Sequence, residues 1–358
     1  MKNLLMKGNE ALAEAAIIAG CRHYFAYPIT PQNEIPAYMS KRMPEVGGTF
    51  LQAESELAAI NMVFGAAAGG VRAMTSTSSP GMALKQEGIS LLSGAELPCV
   101  IVNVMRGGPG LGAIAGAQGD YFQATRGGGN GDYRTIVLAP GNAQELADFT
   151  IDAFDLADKY RIPVIILADG YLGQMSEAVV LSKPSGKTFS KPWALGRKNG
   201  GKRNIVASLK LIPDSALEEH NLHLQEKYDL ISDDVRRVDY YQTDDAEWLM
   251  IAYGTSARIT KKAVDRLRAA GVKAGLFRPL SLWPFPDREL RKAASGKSKV
   301  LTVEMSLGQL VEDVRLSLNG IAEVDFYGRA GGAVPTPAEI IERIKNYERE
   351  NHSHVQAS

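Results

Sequence analysis

The chain has 358 residues, 40 basic against 40 acidic and a formal net charge of zero, so two domains are expected and no basic face is offered to nucleic acid. Its two cysteines, Cys21 and Cys99, sit beside apolar runs as buried free thiols would. Without a Cys-x-x-Cys they exclude a disulfide framework and an all-thiolate iron–sulfur site on this chain. No apolar run approaches the ~20 residues of a membrane span and the N-terminal one is too short for a signal peptide, so a cytoplasmic protein is expected.

Helical spacing over 8–19, closed by Gly20, predicts a first helix, and 23–27 a short strand. Thr30-Pro31 has the form of an N-cap followed by proline at the first helical position, with a helix running to Met43. A strand over 49–53 leads into an Ala-rich helix over 55–69, then a strand over 72–76 and a helix over 80–93. Residues 98–105 are nearly all apolar, as in a strand covered on both faces, and 107–119 form a Gly/Ala-rich loop. Strand 135–139, helix 142–160 with Asn142 and Glu145 in capping-box spacing, and strand 163–168 complete the first unit.

Residues 184–246 differ, with Lys, Pro, Gly and Ser and then a charged helical stretch over 214–238, and are expected to be a linker and a connecting helix. His220 and His223 fall on that helix without a third ligand nearby in sequence, which predicts a solvated face and no metal. A second unit follows, with strands over 248–253, 273–277, 300–304 and 323–327 and helices over 257–270 and 308–318. Strand and helix alternate throughout. The fold class predicted is α/β, two parallel-sheet domains over 1–183 and 247–348, with 349–358 a polar, frayed tail.

Three strand-to-helix junctions carry unusual residues: Tyr27-Pro28-Ile29-Thr30-Pro31, Gln52-Ala53-Glu54-Ser55-Glu56 and Arg106-Gly107-Gly108-Pro109-Gly110. In a parallel sheet such junctions line one edge, where ligands bind. Thr30 has the alternative of a plain helix cap. Glu54 follows its strand directly and would point to the sheet edge, whereas Glu56, ~200° further round the helix, would satisfy the helix dipole. Arg106 could clamp a carboxylate bidentately or reach solvent at the sheet rim. The Gly107–Gly112 stretch spells neither a dinucleotide fingerprint nor a Walker A loop, and leaves room for a substrate.

Together these junctions resemble the alpha subunit of the 2-oxoacid:ferredoxin oxidoreductases. Further matching segments are Gln118-Gly119-Asp120, Thr135 to Pro140, Phe277-Arg278-Pro279-Leu280 with Trp283-Pro284-Phe285-Pro286, and Val303 to Leu310. They run in family order over nearly the whole chain. The resemblance implies a thiamine-diphosphate pyrimidine-type domain followed by a transketolase C-terminal-like domain. The reaction implied is oxidative decarboxylation of a 2-oxoacid with coenzyme A to an acyl-CoA and carbon dioxide, with electrons passing to ferredoxin. It makes Glu54 the carboxyl that hydrogen-bonds the aminopyrimidine ring, with Tyr27, Pro28 and Ile29 also at the cofactor. Arg106 becomes the partner of the substrate carboxylate and Thr30 a substrate- or cofactor-contacting hydroxyl.

No Gly-Asp-Gly segment followed by Asn holds a diphosphate and its magnesium, and no cluster cysteines occur. The resemblance therefore assigns Mg2+ and iron–sulfur clusters to partner subunits, a beta and a gamma and in some assemblies a ferredoxin-like delta, with this chain inactive alone. Gln32-Asn33-Glu34 after Pro31 resembles the branched-chain (3-methyl-2-oxobutanoate) type, with 2-oxoglutarate or pyruvate as alternative substrates. Rival readings are the beta subunit of a lipoamide-linked 2-oxoacid dehydrogenase, a nicotinamide-dependent dehydrogenase using the Gly107–Gly112 loop, and a non-catalytic scaffold subunit.

Overall fold

Apolar strands flanked by amphipathic helices build two sheets, seen in a computed structural model that describes residues 3–196, 198–199, 202–210, 212–297 and 299–356, with 198–199 and 350–356 described by backbone course. The first unit runs β1 (Leu4–Lys7), α1 (Gly8–Ile18), β2 (His23–Ala26), α2 (Glu34–Glu45), β3 (Thr49–Gln52), α3 (Glu56–Ala68), β4 (Ala73–Thr77), α4 (Ser79–Leu84), α5 (Gln86–Gly94) and β5 (Cys99–Met105). It continues through α6 (Tyr121–Arg126), β6 (Ile136–Leu138), α7 (Ala143–Tyr160), β7 (Pro163–Asp169), α8 (Gly170–Gln174) and β8 (Ser176–Val179). Short β9 (Lys198–Asn199) and β10 (Lys202–Arg203) precede α9 (Ala216–Asp234). The second unit holds β11 (Val238–Tyr241), β12 (Trp248–Ile251), α10 (Gly254–Ala269), β13 (Ala274–Pro279), β14 (Ser281–Trp283), α11 (Asp287–Ala294), β15 (Lys299–Glu304), α12 (Leu310–Leu318), β16 (Val324–Gly328) and α13 (Pro337–Gln356).

The larger sheet has the order β14-β6-β7-β5-β4-β2-β3 and is parallel except for β14. Chain order reverses between β2 and β4, which is the crevice where an α/β sheet binds ligands. One apolar cluster, with Leu12, Met39, Leu146 and Phe154, covers one face. A second joins Ile60, Ile89 and Ile101 to Tyr253, Phe277 and Leu310 of the other unit, so the two units share a core. Each fully buried Leu, Ile or Phe there contributes roughly 1.5–3 kcal/mol. The smaller sheet, β11-β13-β12-β15-β16, is parallel except for β11.

Several expectations are corrected. The α2 helix starts at Glu34 with Asn33 as N-cap, so Thr30 is not its cap. The Thr30 and Pro31 carbonyls, which would accept the first helical bonds, are taken by Arg106 and Asn9. The helix expected over 80–93 breaks at Lys85 into α4 and α5. The expected linker contains β11, a strand of the second sheet, and β14 crosses back to pair with β6 through Ser281↔Leu138 and Trp283↔Val137. That exchange blurs a boundary placed at 247. His220 is half-buried, its Nε2 2.7 Å from the Gly94 carbonyl, and docks α9 onto the end of α5, whereas His223 is exposed as expected, its Nε2 3.2 Å from Glu96 Oε1. The tail is helical to Gln356 as part of α13. Residues 197, 200–201 and 211 of the expected linker and 357–358 of the tail lie outside the described residues. Cys21 and Cys99 are buried and free, and burial pushes the Cys21 thiol up to about 12. Among the described residues no helix is long and apolar enough to cross a membrane.

Candidate active site

The C-terminal ends of β2, β4 and β5 and the first turn of α3 converge on one edge of the larger sheet. Ser55 caps α3, its hydroxyl accepting from the Ala58 N–H at 3.1 Å. That cap sets the two neighbouring carboxylates apart. Glu54, before the cap, is exposed. Glu56, in the first helical turn, is 6% exposed. A β-carbon at Gly81 would lie 2.5 Å from Glu56 Oε1 and 2.2 Å from Thr77 Oγ1, so only glycine lets α4 lie against this carboxyl. Beneath it the fully buried Lys85 donates from Nζ to the Glu56 carbonyl and to Thr75 Oγ1, both at 3.2 Å. The sequence signal that separates Glu56 from Glu54 is Ser55, an N-cap residue between them.

Arg106 is buried at the end of β5. Its guanidinium spans two segments, Nη1 donating to the Thr30 carbonyl and Nη2 to the Leu111 carbonyl, each at 2.9 Å. Nε has no partner although it is buried. Ser79 accepts the Arg106 N–H at 3.0 Å and donates to Asp120 Oδ2 at 2.5 Å, where Asn103 Nδ2 also donates at 2.9 Å. Burial raises the Asp120 carboxyl above the ordinary range, against the pull of those two hydrogen bonds. Ser78 Oγ and Asn103 Oδ1 are likewise buried without partners. Buried polar atoms are normally satisfied, so a concentration of orphans at one sheet edge marks a place where a ligand completes the bonding.

Tyr27 and Pro28 are exposed at the mouth of this edge, Ile29 and Thr30 half-buried. Thr30 Oγ1 accepts from Asn33 Nδ2 at 3.1 Å. Behind the turn, Gln32 and Tyr24 meet through Ser76, whose hydroxyl lies 2.6 Å from the Tyr24 hydroxyl. The glycines of the following loop do not leave open room at every position. At Gly107 a β-carbon would meet the Gly331 backbone at 2.9 Å, and at Gly112 (φ +58°) the Gly107 carbonyl at 1.8 Å. There the glycines let the loop fold on itself and let the second unit approach.

The Gln118 and Glu304 segments belong to the seam between the units. Gln118 is fully buried, its amide donating to the Tyr253 carbonyl at 2.9 Å and accepting from Ser256 Oγ at 2.7 Å and the Met305 N–H at 2.9 Å. Glu304 accepts from Ser306 Oγ and from the N–H groups of Gln309, Leu310 and Val311 at the start of α12.

Comparison with known proteins agrees with this division. Residues 14–236 match the family model for pyruvate flavodoxin/ferredoxin oxidoreductase, thiamine diphosphate-binding, and residues 246–340 match pyruvate:ferredoxin oxidoreductase core domain II. The chain belongs to the 2-oxoacid:ferredoxin oxidoreductase family. Within it, ketoisovalerate oxidoreductase subunit VorB of Methanothermobacter marburgensis is 49% identical over 98% of this chain and 100% of its own length. The 2-oxoglutarate synthase subunit KorA of Methanocaldococcus jannaschii is 37% identical over 95% of this chain and 98% of its own. Among solved structures, a 2-oxoglutarate:ferredoxin oxidoreductase from Magnetococcus marinus with 2-oxoglutarate, coenzyme A and succinyl-CoA bound superposes with a TM-score of 0.85 at 28% identity. That match covers 96% of this chain and 65% of the other. A split-gene transketolase at 14% identity and a TM-score of 0.59 shares the fold. The relatives' names mark the family as one of multisubunit oxidoreductases.

Proposed function

We propose that this chain is the alpha-type subunit of a 2-oxoacid:ferredoxin oxidoreductase. It takes part in decarboxylating a branched-chain 2-oxoacid such as 3-methyl-2-oxobutanoate with coenzyme A, giving an acyl-CoA and reduced ferredoxin. The observation that carries this reading is the Glu56 carboxyl. It is nearly buried, backed by glycine, and accepts no hydrogen bond from a described residue, inside the stretch that matches a thiamine diphosphate-binding model. Such a carboxyl fits a ring nitrogen of an aminopyrimidine, with which it can share a proton. When bound, thiamine diphosphate supplies the carbon nucleophile that adds to a 2-oxo group and the sink for the electron pair left by decarboxylation. Glu54, the carboxyl expected from sequence, faces solvent in the isolated chain and is the alternative for the same role.

Arg106 holds the Thr30 turn and the 107–112 loop in place, and a shift of that loop would turn its buried, unpartnered Nε–H, a charge-assisted donor, toward a substrate carboxylate. Tyr27, Pro28 and Ile29 form the rim next to the cofactor. The diphosphate, its Mg2+ and the iron–sulfur clusters belong to beta, gamma and, where present, delta subunits, since Gly-Asp-Gly and cluster cysteines are lacking here. The branched-chain assignment draws on the ketoisovalerate subunit, more similar at 49% identity than the 37% of a 2-oxoglutarate relative.

The test is turnover of the assembled complex on a panel of 2-oxoacids with coenzyme A and a viologen acceptor. Branched-chain 2-oxoacids should give the highest kcat/KM, without lipoamide or NAD. A requirement for lipoamide, or equal turnover with thiamine diphosphate removed, would overturn the reading. A preference for 2-oxoglutarate would overturn the substrate alone.

A further inference from the structure

Lys85 is among the largest fully buried side chains of the protein. A lysine is almost never fully buried unless paired, yet no described carboxylate lies in ion-pair contact with this one. Its hydrogen-bond acceptors are neutral: the carbonyl of Glu56 and the hydroxyl of Thr75, each 3.2 Å from Nζ. The residue stands where α4 gives way to α5, so its stem enters the core at a break in the helical path. A methionine would fill the same volume without desolvating a charge, and such replacements are often neutral or stabilising. Packing alone therefore gives no reason for an ammonium here, whereas proximity to the Glu56 carboxyl does.

The surroundings are simple. From α3 the ionisable group is Glu56, whose charge acts on Lys85 through space. Strand β4 offers Thr75 and no ionisable group. Helix α4 has none, and Glu87 of α5 is exposed. Burial pushes the Lys85 ammonium down to about 7, with the Glu56 charge opposing the shift.

We propose that Lys85 is a positioning residue for Glu56: its ammonium ties down the first turn of α3 and favours the ionised carboxyl, so that the proton shared with the cofactor ring resides on the ring. This rests on the reading of Glu56 given above. The protonated lysine supports the reaction and the neutral amine does not, so raising the pH through the lysine's titration removes the assistance.

The experiment uses the assembled complex, comparing wild type with Lys85→Met. Thermal unfolding comes first. The folded-state lysine titrates below its unfolded value of 10.5, so the unfolded chain binds more protons between the two and wild-type stability rises with pH in that window. K85M should unfold a few degrees higher than wild type at about pH 6, and the gain should shrink as the pH rises. Next, calorimetry of thiamine diphosphate binding in buffers of different ionisation heat counts the protons exchanged. The diphosphate's own ionisation contributes to both proteins alike, so the count should vary more across about pH 6–8 in wild type than in K85M. Turnover at about pH 6.5 should fall about tenfold with KM for the 2-oxoacid unchanged, and the decline of wild-type turnover above about pH 7 should vanish.

The double variant E56Q/K85M should be no slower than E56Q. A K85M complex with wild-type pH profile and proton count overturns the proposal, as does a K85M loss that persists undiminished in the E56Q background. An E56Q complex with wild-type turnover overturns the assignment of Glu56 instead. Should K85M fail to assemble, Thr75→Val removes one acceptor from the ammonium at nearly constant volume. It should then move the decline of turnover to lower pH, and an unmoved profile overturns the proposal.

Discussion

Two regions of the molecule hold buried polar groups of similar kind and treat them oppositely. At the seam, Gln118 and Glu304 have partners for their side-chain oxygens and for the Gln118 amide nitrogen. At the sheet edge, Arg106 Nε, Ser78 Oγ and Asn103 Oδ1 are buried without them, and the nearly buried Glu56 carboxyl accepts no hydrogen bond from a described residue. A satisfied buried polar group contributes to specifying the fold, whereas an unsatisfied one costs about 1–3 kcal/mol until something supplies the missing bond. Gln118 and Glu304 are satisfied within the chain, although the neighbouring Asp169 Oδ2 is buried without a partner, and the edge has the larger group of such atoms.

Substitutions can break or sharpen that contrast. Glu56→Gln removes the proton-sharing carboxyl with almost no change in shape. It should reduce kcat of the assembled complex by at least about a hundredfold, with its unfolding temperature unchanged or raised, as steady-state kinetics and calorimetry would show. Arg106→Ala should raise KM for the 2-oxoacid about tenfold or more. It frees the Thr30 and Leu111 carbonyls together with the charge, so Arg106→Lys should recover only part of the loss. Gln118→Ala should do the reverse of Glu56→Gln, destabilising the chain by roughly 2 kcal/mol in denaturant unfolding and leaving kcat per folded complex near wild type. Glu54→Gln is the smallest, less than about a twofold change in kcat, because an exposed carboxylate interacts weakly. A large effect at Glu54 and none at Glu56 would reverse the assignment of the two.

The alternation of strand and helix, and with it the α/β class, was legible because parallel strands buried on both faces are apolar runs and their helices keep a regular stripe. Residues 99–105 and 163–169 are strands very nearly where their composition predicts them. The seven residues of each are buried, as the run demands. The capping of α7 by Asn142 was equally local, although Glu145 accepts from the Gly141 N–H at 2.7 Å and from Arg278. Failures came where a distant group competes for a local bond. Thr30 is no helix cap because Arg106, 76 positions away, takes its carbonyl, and the helix over 80–93 breaks where Lys85 reaches a carbonyl 29 positions back.

Sequence by itself determined the alternating architecture, the family and the sheet edge on which Thr30, the 54–56 carboxylates and Arg106 gather. Local propensity and the strand-end rule depend on neighbours along the chain. Tertiary structure alone decided which groups on that edge are left unsatisfied. It buried Glu56 and left Glu54 in solvent, sent Arg106 onto two carbonyls, folded the Gly107–Gly112 loop against the second unit, and placed Lys85 beneath α3. The physical reason is that hydrogen-bond satisfaction and desolvation depend on everything within a few ångströms, and at this site most of those neighbours are remote in sequence.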